Sequence, residues 1–324
     1  MSTYKKEVGT AVQNNAGDYT GAVEGQLWYN STAGSFQFRS FTTAGAWATG
    51  GNLNTARSNL AGAGIQTAAL AFAGNIPPTT AVTESYNGAS WTEVNDLNTA
   101  RRYLAGAGTQ TSALGFGGAT VPTTAVTTNT ESWNGTSWTE VNDLNTARRL
   151  LGAAGTDNTS SLAFGGTPPT TGATESWNGT SWTEVNDLNT ARNQIAGAGT
   201  QTAALSAGGE DPVAATAITE SWNGTSWTEV NDLNTARKLS GGAGTQTAAL
   251  IFGGDPVPTT GALTESWNGT SWTETTDLSI ARLALSGAGT QTSALAFGGS
   301  PPATAATEEF TGAGATVTET ITTS

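Results

Sequence analysis

The chain contains neither histidine nor cysteine, so the commonest general base and the thiol nucleophile are both missing. Disulfide frameworks and thiolate metal sites are equally ruled out, and cysteine usage leaves the redox compartment open. Carboxylates are what remains for chemistry, and most of them recur in register. Asp96, Asp143, Asp187, Asp232 and Asp277 each stand five residues before Arg101, Arg148, Arg192, Arg237 and Arg282. Opposite charges at a repeated spacing read as salt bridges pinning a loop rather than as a ligand site, because partly buried pairs chiefly fix geometry. The irregular acid pairs are Glu210-Asp211 and Glu308-Glu309, and neither has a base nearby in sequence. The Asn-Asp steps lack the alternating Asp/Asn pattern of a calcium loop. The expectation is therefore no catalytic residue, no cofactor and no metal.

These charges belong to a segment of roughly 45 residues repeated six times, a period that marks solenoids, propellers or arrays. Each copy shows a Trp, a polar link and Leu-Asn-Thr-Ala-Arg, as from Trp138 to Arg148, with Leu-Ser-Ile-Ala-Arg in the last copy. A Gly/Ala-rich stretch follows, then a polar turn such as Thr109-Gln110-Thr111, then an apolar run closed by a glycine pair such as Gly117-Gly118; the first copy has Ala73-Gly74. With 36% hydrophobic and 11% charged residues the chain should fold. A core shared between neighbouring repeats lets 324 residues form one domain.

Read as strands, Thr130-Glu131-Ser132-Trp133-Asn134-Gly135-Thr136-Ser137-Trp138 is a hairpin, with Asn134-Gly135 as a two-residue type I′ turn. That register sets Trp133 opposite Thr136 and Trp138 opposite Glu131, leaving the two indoles diagonal neighbours on one face. Trp91, Trp138, Trp182, Trp227 and Trp272 recur at this second position. Burying each aromatic against the next repeat contributes about 1.5–3 kcal/mol. The small residues after each Arg form a second hairpin suited to crowded inner strands, and two hairpins make a four-stranded unit.

Arg148, the run Leu162-Ala163-Phe164-Gly165-Gly166, Trp177 and Trp182 together resemble the kelch repeat, and the match recurs from residue 57 to about 310. The resemblance implies an all-β fold: a six-bladed kelch-like β-propeller of four-stranded antiparallel blades. The aromatic-to-Trp spacing is shorter than usual for kelch blades, which implies a tighter outer hairpin. WD repeats rely on a Gly-His pair that this chain lacks. The turn around Asn134 is similar to the Asp-box of sialidase propellers but is one residue short and carries Asn.

The propeller is expected over residues 51–324, with Thr307 to Thr320 as the outer hairpin of its sixth blade and residues 1–50 as a separate attachment or oligomerisation module. On strand pattern alone, residues 1–50 fit ring-closing strands equally well. The segment Gly21 to Phe38 resembles stretches common in tailed-phage fibre and appendage proteins, which implies docking to other virion proteins or homo-oligomerisation, such as a trimer.

In such blades the loops between second and third strands share a face with the loops between repeats. These loops differ in every copy, and prolines stiffen them, which lowers the entropy lost on binding. Pro78, Val121, Pro169, Glu210, Asp211, Asp255 and Pro302 mark that candidate binding face; drift of unconstrained loops accounts for the variety equally well.

A net charge of -13, with basic residues spread thinly, argues against nucleic-acid partners. No apolar stretch approaches a membrane span, and no signal peptide opens the chain, so Asn134-Gly-Thr and its copies read as turns rather than glycosylation sites. The expected protein is a non-enzymatic virion appendage or tail fibre made in a host cytoplasm, its propeller meeting a host-surface glycan or protein. A second reading is an extracellular or cell-surface bacterial adhesin or protein-interaction scaffold; a third is a glycan-processing enzyme.

Overall fold

A computed structural model of the chain describes residues 12–17, 19, 26–41, 45–77, 79–121, 125–256, 261–313 and 316–320. Among the described residues the regular structure is all β, in seven four-stranded sheets. Among the described residues no helix is long and apolar enough to cross a membrane. Two compact units emerge: Met1–Gly45 with Thr311–Ser324, and Ala46–Phe310.

The larger unit holds six sheets of one antiparallel pattern. The second sheet illustrates it with strands Ala105–Thr109, Ser112–Phe116, Thr130–Trp133 and Trp138–Val141 in that spatial order. First strands carry Gly and Ala because the next sheet lies directly against them. A Cβ on Gly197 would stand 2.2 Å from the carbonyl oxygen of Ala153, and one on Gly242 2.7 Å from that of Gly197. The first strands pack against one another in cyclic order, each on the next, and Ser286–Thr290 returns to Ala61–Ile65.

The outer hairpin differs from its sequence reading. Trp133 pairs directly with Trp138, Ser132 with Thr139 and Glu131 with Glu140, so the connection is a four-residue loop rather than a two-residue turn. The cause is local: Asn134 Oδ1 accepts the N–H groups of Thr136 and Ser137, both at 2.9 Å, and only Gly135 takes a positive φ. The indoles do share a face, as an opposed pair with ring centres 5.4 Å apart rather than as diagonal neighbours.

Each second-position Trp is buried between sheets. Trp138 packs on Phe72, 4.8 Å between ring centres, and its Nε1 donates to Thr83 Oγ1 at 3.1 Å. Trp182, Trp227 and Trp272 repeat the bond on Thr130, Thr174 and Thr219, and Trp91 makes it to Thr307.

The sixth sheet takes Ala46–Thr49 as its fourth strand, beside Thr307–Thr311. Thr316–Thr320, expected there, pairs instead with Ser35–Phe41 in the other unit. The reason is the missing indole: Trp47 fills the slot, donating to Thr264 Oγ1 at 3.1 Å and packing on Phe252 and Phe310, whereas Thr316–Thr320 carries no aromatic residue.

In the smaller unit Gln13–Asn15 runs parallel to Leu27–Asn30, which forms a hairpin with Ser35–Phe41. Trp28 is fully buried there. Of the stretch Gly21 to Phe38, residues 21–25 lie outside the described residues.

Candidate binding face

The repeated arginines are buried, and their partners are not the aspartates five residues earlier. Arg101 meets Glu131 at 3.0 Å, Arg148 meets Glu175 at 2.8 Å, and Arg192 and Arg237 meet Glu220 and Glu265 at 2.9 Å. Arg57–Glu84 and Arg282–Glu308 complete the set at 2.9 and 3.1 Å. Each glutamate lies on the third strand of the sheet that its arginine opens, so the pair ties sequence-distant segments of one sheet. The aspartate closes the preceding sheet: Asp143 Oδ1 accepts the N–H of Thr130 at 3.0 Å, and Asp187 does the same for Thr174. Burial lowers the pKa of every one of these arginines, and the glutamate is the largest influence opposing that shift.

A second tie was not recognised from the residues alone. The turn glutamine of each repeat reaches back to the preceding sheet: Gln110 Nε2 donates to Ser85 Oγ at 2.9 Å and to the Tyr86 carbonyl at 2.5 Å. Gln201, Gln246 and Gln291 do likewise, Asn158 substitutes in the third sheet, and Gln66 reaches Phe310. The signal was present as an amide at the same turn position in every copy.

On the opposite side, the residue two past each buried arginine has a left-handed backbone: Asn59, Tyr103, Leu150, Gln194, Leu239 and Ala284, with φ from 55° to 60°. Such conformations cost non-glycine residues about 1–3 kcal/mol and persist where surroundings over-determine them. Here a closed circuit of backbone bonds does so. Tyr103 N–H donates to the Asn59 carbonyl, Leu150 to Tyr103, Gln194 to Leu150, Leu239 to Gln194, Ala284 to Leu239 and Asn59 to Ala284, at 2.7–3.1 Å. Nothing in composition announces the circuit, because no one side-chain type or polarity runs through its six members.

The second-to-third loops rise beside this circuit. Their bases are bridged to the residue after each buried arginine, as Arg102 to Ala119, Arg149 to Thr167 and Lys238 to Asp255. Of the candidate face residues, Glu210 and Asp255 are brought together: Lys238 Nζ lies 2.6 Å from Glu210 Oε1 and 3.9 Å from Asp255 Oδ2. Gln194 also donates to Glu210. Asp211 turns inward on its own loop, accepting the N–H groups of Val213 and Ala214 at 2.7 and 2.8 Å, and these bonds lower its pKa. Val121 is half-buried, Pro169 and Pro302 are exposed, and Pro78 lies outside the described residues.

The irregular acid pairs are thus engaged. Glu210 holds Lys238, Glu308 holds Arg282 and the Ser279 hydroxyl, and Glu309 accepts from the Tyr86 hydroxyl at 2.5 Å. Among the described residues no group of three acidic, His or Cys side chains is placed to hold a metal ion. A shallow cavity of about 320 Å³ opens on the circuit, lined by Arg102, Tyr103, Arg149, Leu150 and Gln194 among others. Two guanidinium groups, a phenol ring, two carboxamides and three leucine side chains make up its wall.

A scan of protein-family models finds no match, and no curated protein sequence matches the chain.

Proposed function

We propose that Ala46–Phe310 is a six-bladed, kelch-like β-propeller serving as the non-enzymatic binding module of a bacteriophage virion appendage, with the loop face around the backbone circuit as its contact surface. The cyclic packing of six first strands supports the ring, and Ala46–Thr49 supplies its closing strand. One observation carries the binding role: strained, non-glycine backbone is concentrated on the face that also carries variable loops and an open cavity. In this reading the smaller unit, built from both chain ends, attaches the propeller to other virion proteins or to further copies of the chain.

Electron-microscopic class averages of the full chain test the ring, with six-fold end views expected; an open arc or another blade number overturns it. Fluorescently labelled full chain applied to bacterial cell-envelope preparations tests the role. Saturable binding, competed by soluble envelope polysaccharide, is expected, and absence of saturable binding across the preparations defeats the proposal.

A further inference from the structure

The chain has 12 Lys and Arg residues. Six are the buried arginines already described, and Lys5, Lys6 and Arg39 precede the larger unit. The remaining three, Arg102, Arg149 and Lys238, all occupy one repeat position, directly after a buried arginine, where the other copies have Ser58, Asn193 and Leu283. Every cation of the larger unit outside the buried pairs therefore lies on the candidate face.

Lys238 is neutralised by Glu210 and Asp255. Arg102 and Arg149 have no carboxylate within ion-pair distance among the described residues. Both guanidinium groups lie over the ring of Tyr103, at 5.1 and 5.8 Å from its centre, and Arg102 donates once to Asn75 Oδ1 at 3.3 Å. The Nε of each is shut from solvent without a hydrogen-bond partner. Two guanidinium groups without a carboxylate partner, both lining one open cavity, suit an oxyanion such as a carboxylate.

The carboxylates that this face itself carries are engaged elsewhere: Glu210 and Asp255 flank Lys238, and Asp211 accepts the N–H groups of Val213 and Ala214 in its own loop.

We infer that this cavity binds the carboxylate of an acidic sugar, with Arg102 and Arg149 supplying the positive charge. Asn59 and Gln194 offer amide oxygens to neighbouring hydroxyls, and Leu150, Leu239 and Leu283 give the ring an apolar side. An extended peptide is the poorer fit, because strand addition needs an open sheet edge. The first strands face one another, and the open edges belong to the distant fourth strands. The inference rests on the reading of this unit as a surface-binding module.

Saturation-transfer NMR on the full chain tests it, with D-glucuronate, N-acetylneuraminate, D-glucose and a Glu-rich hexapeptide as probes. Binding of at least one acidic sugar is expected, about tenfold or more tighter than D-glucose, and weakened as NaCl rises from about 0.05 to about 0.5 M. Arg102→Gln/Arg149→Gln, with unchanged melting temperature, should lose that preference. Arg149→Gln alone, which removes a group with only a ring contact, is the second variant should the double one fail to fold. Equal binding of acidic and neutral sugars, undiminished binding by the folded variants, or tighter binding of the hexapeptide each overturns the inference. Envelope binding that survives the double variant defeats the acidic-sugar site while leaving the proposed function standing; loss of envelope binding by the unmodified chain defeats that function independently.

Discussion

Glu220→Gln isolates what the buried ion pairs contribute. Arg192 and Glu220 are both fully buried, 2.9 Å apart, and Glu220 also accepts from the N–H and side-chain amide of Asn189 at 2.7 and 2.8 Å. The substitution keeps volume and removes charge. A unit pair at about 4 Å in an effective dielectric of about 20 interacts by about 4 kcal/mol, and stranding one buried charge costs about 3–5 kcal/mol. Against typical stabilities of about 5–15 kcal/mol that is a large fraction. Burial already depresses the Arg192 pKa, with Glu220 as the strongest opposing influence, so its removal leaves the burial penalty less compensated. Urea unfolding followed by tryptophan fluorescence should show a midpoint shift worth about 3–5 kcal/mol. Glu84→Gln should match it, since the same geometry recurs around Arg57. Exposed Glu93→Gln should stay within about 0.5 kcal/mol. Arg192→Met/Glu220→Leu should recover only the part due to the stranded charge, because the Gly208 and Ile218 carbonyls and the Asn189 N–H lose their partners in it. A cost below about 1 kcal/mol for Glu220→Gln would refute the reasoning and place the pair among solvent-screened bridges.

Other outcomes follow from single positions. The fourth sheet has Ala207 where the other repeats place a phenylalanine, and Ile251 of the fifth sheet lies in the same core cluster. Ala207→Phe should destabilise by about 1–3 kcal/mol through overpacking; adding Ile251→Ala should relieve part of it, and strictly additive losses in thermal unfolding would deny the exchange of volume. Gln246→Ala leaves the Trp222 carbonyl and the Ser221 hydroxyl without their shared donor, a loss expected at about 1–3 kcal/mol in the same denaturation assay. Tyr86 is buried and hydrogen-bonded to Glu309, and desolvation first, then that bond and charge, raise its pKa to about 12. Its neutral form favours folding: that contribution is complete below the unfolded value of about 10 and disappears as pH climbs through about 12. The difference in tyrosinate absorbance between the full chain and Tyr86→Phe should show a component titrating at about 12, which Glu309→Gln brings down; a component at about 10 would contradict this.

Much of the scaffold was legible because it is periodic. Six registers of Trp, Arg and glycine pair imply repeated four-stranded units, and alternation in Thr-Glu-Ser-Trp puts both indoles on one face under either register. The loop length was not legible, because Asn134-Gly135 is compatible with a two-residue turn, and only the bonds from Asn134 Oδ1 to Thr136 and Ser137 select the longer loop. The arginine partner was misread for a similar reason. Asp143 is close to Arg148 in sequence, whereas Glu175 is brought to it by folding of the sheet between them. On the candidate face, loop variety marks Glu210 and Asp255 in the sequence, whereas Arg102, Tyr103 and Arg149 are ordinary polar or aromatic residues there until folding lines one cavity with them.

The amino-acid sequence by itself determined the repeat, the strand-forming segments and the residue types available for chemistry, because period, alternation and composition are properties of short stretches. Tertiary structure alone decided which strand completes the sixth sheet, which carboxylate neutralises each arginine and which cations remain unpaired. Those outcomes depend on segments far apart in the chain competing for one slot. Ala46–Thr49 takes the place of Thr316–Thr320 because only it carries an indole able to reach Thr264 and pack on Phe252.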